Sequence, residues 1–196
     1  MKEIIKLIGV LTLISAVAGL LLAFTNNRTA GPIAQAQKSE SLRALSEVLP
    51  AFDNQPNETT FTVNENGQHW TFFVARKNGS FAGAAVESSS LKGYGGLIKI
   101  MIGINPDNSL RHFKILEQQE TPGLGSKIVD ATFHSHFENR LFAPDTWRLK
   151  KDGGEIEAIT GATISSRAVT EAIRTAAGVY IRHADEIRQT GLSAPP

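Results

Sequence analysis

Leu97-Ile98-Lys99-Ile100-Met101-Ile102-Gly103-Ile104 is followed by Asn105-Pro106-Asp107-Asn108 and then by Leu110 to Glu117. Isoleucines at every second position put Ile98, Ile100, Ile102 and Ile104 on one face of an extended chain. The four turn-forming residues reverse it, and Phe113 and Ile115 share a face of the returning segment. Upstream, Trp70, Phe72 and Val74 alternate with Thr71, Phe73 and Ala75, Asn78-Gly79 is a hairpin dipeptide, and Ser80 to Val86 is the expected return strand. Asn54 to Asn57 reads as loop, and residues 33–49 as a helix with Ile33, Leu42, Leu45, Val48 and Leu49 on an imperfect apolar stripe that Pro50 ends. Downstream, residues 126–139 have helical spacing and Glu155 to Ile159 a short strand pattern. Ile164 to about Arg188 is a long amphipathic helix, with Val169, Ala172, Ile173, Ala176 and Tyr180 on one face. Strands grouped between helices predict an α+β fold and not a doubly wound α/β sheet.

The N-terminus is of a different character. Leu7 to Phe24 is 18 residues without a charge, and at helical rise such a run spans about 27 Å, close to the thickness of a bilayer core. A cleaved signal peptide would have a shorter apolar stretch, and the small-residue pattern Ala34-Gln35-Ala36 lies ten residues beyond Phe24. A retained single-pass anchor is therefore expected. Lys2 and Lys6 ahead of the run favour a cytoplasmic N-terminus and an exported remainder, a bias that Arg28 weakens without reversing. Asn26 to Pro32 reads as a polar linker. Two parts follow: residues 1–30 as transmembrane anchor and linker, and residues 31–196 as an extracytoplasmic domain.

The 196 residues suit one domain plus a short extra segment, and 41% hydrophobic with 20% charged residues suits a folded one. The formal net charge of +1 excludes a nucleic-acid binder that relies on bulk charge. Residues 31–196 are nearly neutral, which argues against a domain held to anionic lipid by charge. With no cysteine, thiolate metal sites, disulfides and cysteine nucleophiles are absent.

Chemistry concentrates in Glu157-Ala158-Ile159-Thr160-Gly161-Ala162-Thr163-Ile164-Ser165-Ser166-Arg167. It reads as a strand, a tight turn at Gly161 and a helix start. A first helical turn offers unpaired N–H groups and the positive end of the helix dipole, a natural seat for phosphate. A threonine hydroxyl beside such a seat could carry a phosphoester; simple N-capping by Thr163 or Ser165 is the alternative.

Thr160-Gly161-Ala162-Thr163 resembles the Ser/Thr-Gly-Ala-Thr motif of the covalent FMN-binding domain family. That domain occurs in the G subunit of the Rnf ion-translocating electron-transfer complex and in the C subunit of the Na+-translocating NADH:quinone reductase. Glu120-Thr121-Pro122-Gly123-Leu124-Gly125 is similar to the family's flavin-lining loop, and Gly93-Tyr94-Gly95-Gly96 matches a third segment in the family's order. The resemblance spans roughly residues 93–170. It implies FMN joined by a phosphoester to Thr163 and installed by a flavin transferase. Thr160, Gly161, Ala162, Ser165, Glu120, Thr121, Gly123, Leu124, Gly125 and Tyr94 would be the other binding residues. The family pattern has aspartate three residues before the first hydroxyl; Glu157 stands there, with its carboxylate one methylene further out.

The resemblance further implies an electron-transfer subunit of a membrane-bound, ion-translocating ferredoxin:NAD oxidoreductase, with other subunits and the lipid bilayer as partners. The economical length favours the G subunit over the quinone-reductase C subunit. An anchored flavin-bearing sensor or interaction module is the reading from another class. No dinucleotide-binding G-x-G-x-x-G sequence is present, so a relay is expected over a self-contained dehydrogenase. The anchor's only polar side chains are Thr12 and Ser15, which leaves the ion path to other subunits. His134 and His136 are expected to be a solvated pair, since residues two apart on a helix cannot share one ion.

Overall fold

The computed structural model describes residues 1–65 and 67–192, so Asn66 and the last four residues of the expected 31–196 domain lie outside the described ones. One helix, α1 (Lys2–Val48), precedes five strands: β1 (Thr60–Glu65), β2 (Gln68–Lys77), β3 (Ser80–Gly93), β4 (Gly96–Ile104) and β5 (Leu110–Gln118). A four-residue helix, α2 (Ala131–His134), and the long helix α3 (Thr163–Gln189) follow, with short 3-10 turns at Gly125–Val129, Pro144–Thr146 and Lys150–Asp152. The chain divides into two compact units, Met1–Glu40 and Ser41–Pro196.

The first unit is helix alone. Its apolar side chains stand exposed, Leu11 at 62% and Leu20 at 72%, and α1 is long and apolar enough to cross a membrane. A helix suits that setting because its backbone groups bond within the segment. The linker expected over residues 26–32 is helical instead, with Pro32 inside α1. Proline removes one N–H from the ladder. Helix continues on both sides of it, and Thr25 Oγ1 and Thr29 Oγ1 donate back to Leu21 O (2.8 Å) and Thr25 O (2.9 Å).

In the second unit the strands form one antiparallel sheet in the order β1-β2-β3-β4-β5, each strand paired with its sequence neighbour. The alternation around Ile100 explains how the sheet is covered. Ile98, Ile100, Ile102 and Ile104 are fully buried in the main core with Val169, Ala172, Ile173, Ala176 and Tyr180 of α3. Met101 points the other way, into a smaller cluster with Ala44, Leu45, Val48 and Leu49. The end of α1 thus packs on the sheet face opposite α3. Gly103 makes that approach possible, since a Cβ there would overlap the Val48 carbonyl. On the α3 side, Ser88 Oγ donates to Ala172 O at 2.8 Å, and the turn after β4 is held where Tyr180 Oη donates to Asn108 Oδ1 at 2.8 Å.

Several expectations need correcting. β1 forms between the expected loop at residues 54–57 and the expected strand at Trp70, where no element is expected from the sequence. The return strand from Ser80 runs on to Gly93. Ile33 and Leu42 of the expected stripe are exposed, at 52% and 44%. Residues 126–139 are not one helix: the chain is extended at Asp130 (φ −74°, ψ 139°) between the 3-10 turn and α2. The break lets Ile128, Phe133 and Phe137 all enter the core. It also buries His134, 7% exposed, whose Nε2 donates to Ile128 O at 2.8 Å, so the two histidines are not a solvated pair. Glu155 to Ile159 is not a strand either. Only Ile156 makes a bridge, to Leu149, and the Ile159 N–H is taken by Ser166 Oγ at 3.0 Å.

Candidate functional site

Three connections converge at one end of the sheet. The first is the turn between β3 and β4, where Gly93 pairs with Gly96 and Tyr94 stands 71% exposed. The second is the loop after β5, Glu120 to Leu124, leading into the Gly125–Val129 turn. The third is Thr160 to Ser165 at the start of α3. Between them lies an open cavity of about 580 Å3, within the roughly 300–1,000 Å3 of typical small-molecule sites.

The buried carboxylate of Glu120, 6% exposed, binds the three connections together. Its Oε1 accepts from the Gly95 N–H at 3.2 Å and its Oε2 from Ser165 Oγ at 2.7 Å. A polar side chain out of water needs such partners. Glycine is required around it: a Cβ at Gly93 or Gly125 would meet the carboxylate oxygens, and one at Gly95 would overlap the Gln119 carbonyl.

At the third connection, Gly161 takes a left-handed conformation (φ 79°) that turns the chain into α3. Ala162 is the residue before the helix and supplies no side-chain cap. The capping alternative for Thr163 and Ser165 therefore fails. Thr163 is the first helical residue, and its Oγ1 accepts from Lys151 Nζ at 3.3 Å. Ser165 is committed to Glu120. Ser166 Oγ, fully buried, accepts from Ile159 N–H and donates to Ala162 O at 2.9 Å, which pins the approach to the helix.

Of the residues that the sequence points to, Tyr94, Glu120, Thr121, Leu124, Gly125, Gly161, Ala162, Thr163 and Ser165 line this one cavity. Thr160 and Gly123 do not, although both belong to its loops. Gly123 (φ 75°) shapes the loop, donating its N–H to Ser126 Oγ at 2.9 Å. The lining adds Lys151 and Ile164, which the sequence reading missed. Ile164 is adjacent to the motif and could have been included. No local signal marks Lys151, because folding brings it there.

The turn that carries Lys151 is anchored on both sides. Lys150 Nζ donates to Glu157 Oε1, and this bond holds the Glu157 carboxyl below its ordinary range. Arg167 donates to Asp152 through Nε at 2.8 Å and Nη2 at 2.9 Å. The guanidinium lowers the Asp152 pKa, and the carboxylate raises that of Arg167. Among the described residues no group of histidines and carboxylates could hold a metal ion.

Comparison with known proteins gives a consistent result. Residues 93–178 match the family model described as FMN-binding domain. The chain is 34% identical to the G subunit of the ion-translocating oxidoreductase complex of Aliivibrio fischeri (strain ATCC 700601 / ES114), covering 94% of this chain and 93% of that one. It is 36% identical to the protein of the same name from Methanosarcina acetivorans, covering 89% and 93%. Among solved structures, it is similar to Shewanella oneidensis NqrC, with a TM-score of 0.53, 21% identity, and 68% and 70% of the two chains covered. It is also similar to the C subunit of the Na(+)-translocating NADH-quinone reductase from Parabacteroides distasonis, with a TM-score of 0.52, 21% identity, and 74% and 82% covered. At this identity the two structures speak for a shared fold.

Proposed function

Because the chain belongs to the family of ion-translocating oxidoreductase complex G subunits, with their FMN-binding domain, we propose that it carries FMN esterified to Thr163 and relays electrons within such a complex. The observation that carries this reading is the Thr163 hydroxyl at the uncapped first turn of α3, on the wall of a cavity of ligand size. The residues present fit the group. Backbone N–H groups of the first turn and Lys151 suit a phosphate. Glycines at 93, 95 and 125 keep the loop backbones close around Glu120, and Tyr94 and Leu124 offer apolar surface at the rim.

Bound FMN supplies one- and two-electron redox chemistry; the protein's share is placement, potential and access of water. Thr163 tethers the phosphate, so the flavin is retained at any concentration. On attachment the Thr163 Oγ–P bond would form as the P–O bond of a flavin phosphoanhydride donor breaks, the departing phosphomonoester taking up the proton that the hydroxyl gives up. A flavin transferase supplies that reaction. Glu120, bonded to Ser165 and Gly95, holds the loops that form the cavity.

The anchor within residues 1–30 spans the bilayer with its N-terminus in the cytoplasm, and the domain that follows lies outside it. Other subunits provide electron donor and acceptor, drawn from ferredoxin and NAD chemistry, and the path for Na+ or H+. The test is denaturing electrophoresis of the full chain produced together with its flavin transferase. A fluorescent band that Thr163→Val removes and Thr160→Val keeps is the expected result. A band retained in Thr163→Val would overturn the assignment.

A further inference from the structure

We propose that Lys151 is the positioning residue for the flavin phosphate, supplying the positive charge that holds it against Thr163. The proposal rests on the Thr163 reading. It starts from an arrangement that is electrostatically unfavourable as it stands. The N-terminus of α3 is the positive end of a 27-residue helix with no side-chain cap. The Lys151 ammonium is directed at this end, 3.3 Å from Thr163 Oγ1. A cation belongs at the other end of a helix, where Arg76 sits in this fold, its Nε 3.0 Å from Thr190 O.

The turn that carries Lys151 is flanked by ion pairs. The two sequence neighbours of Lys151 are tied down, Lys150 by Glu157 and Asp152 by Arg167. Lys151, between them, has no carboxylate ion-pair partner among the described residues. The acidic residue of the cavity, Glu120, is already occupied by Gly95 and Ser165. Two like-signed features therefore face one hydroxyl, and an anion placed at that hydroxyl satisfies both. A phosphodiester keeps one negative charge, which the Lys151 ammonium matches.

The decisive property is a change of sign. Without flavin, Lys151 opposes the helix dipole; with flavin, it supports the phosphate. The experiment compares melting temperatures of the full chain in detergent, unmodified and flavinylated, for the wild type, Lys151→Gln and Lys151→Arg. Lys151→Gln is expected to leave the unmodified Tm unchanged or slightly raised, and to lower the flavinylated Tm by about 2–4 °C. Lys151→Arg is expected to behave as the wild type. Added salt should shrink the stabilisation that flavin gives the wild type more than that of Lys151→Gln, which keeps only the helix-dipole share. If Lys151→Gln folds but accepts no flavin while Lys151→Arg does, the charge is needed at attachment and the proposal stands. An equal fall in both forms, or no fall in the flavinylated form, overturns it. A wild-type chain that shows no fluorescent band with active transferase overturns the Thr163 reading and this one with it, a result seen on the gel before any melt.

Discussion

Ser165 Oγ donates to Glu120 Oε2 at 2.7 Å, a buried bond between residues 45 apart in sequence. It fastens the first turn of α3 to the loop after β5. The other carboxylate oxygen accepts from Gly95, so three loops that form the cavity depend on one side chain.

Removing that side chain should loosen all three. Glu120→Ala leaves the Ser165 hydroxyl and the Gly95 N–H without their partner, and is expected to cost about 1–3 kcal/mol. Glu120→Ala and Ser165→Ala, measured singly and together by urea denaturation, should show a coupling of about 0.5–3 kcal/mol. Strict additivity would mean that the bond contributes nothing.

Gly103 and Gly161 matter for different reasons. Gly103→Ala forces a Cβ into the Val48 carbonyl and should destabilise by about 1–3 kcal/mol, as overpacking does. Gly161→Ala has room, its nearest neighbour being Leu124 Cδ2 at 3.4 Å, but must hold φ at 79°. About 1–2 kcal/mol is expected there. Thermal melts distinguish the two when flavin uptake is followed as well: only Gly161→Ala should alter it, since Gly103 lies far from the cavity lining.

Arg76 is 5% exposed and caps the other end of α3. Its Nε and Nη2 reach Thr190 O at 3.0 and 2.7 Å, and Nη1 reaches Gly79 O at 3.0 Å. Arg76→Met keeps bulk but strands these carbonyls. A loss of about 2–3 kcal/mol is expected, with faster amide exchange in the last turn of α3 and unchanged exchange in its first.

His134 should make stability depend on pH. Burial lowers its pKa, aided by the nearby His112 ring, while the Ile128 carbonyl bond, Glu138 and Asp130 act in the opposite direction. The folded protein thus binds a proton at this ring less readily than the unfolded chain. The contribution is fully present above the unfolded value of about 6.5 and declines as pH falls from there towards the folded value. The urea midpoint should drop between pH 7.5 and 5.5, and His134→Gln should flatten that dependence. A midpoint with the same slope in the variant would remove His134 as the cause.

Much of this molecule is legible in local pattern. Alternating isoleucines mark β4, spacings of three and four mark the buried face of α3, and three short segments name most of the cavity wall. The first two are short-range signals, carried by strand or helix geometry within a few residues; the three segments are identified by their resemblance to the FMN-binding domain family. What local pattern does not carry is which surfaces meet. Thr60 to Val63 alternates like a strand, yet its place follows from pairing with β2. Residues 126–139 have helical spacing, yet burying Ile128, Phe133 and Phe137 together required a break at Asp130. Lys151 sits 12 residues before Thr163 in a turn of no distinctive sequence, and the folded chain places it beside the helix start. Those arrangements depend on contacts between distant parts of the chain, whose energies no window of sequence contains.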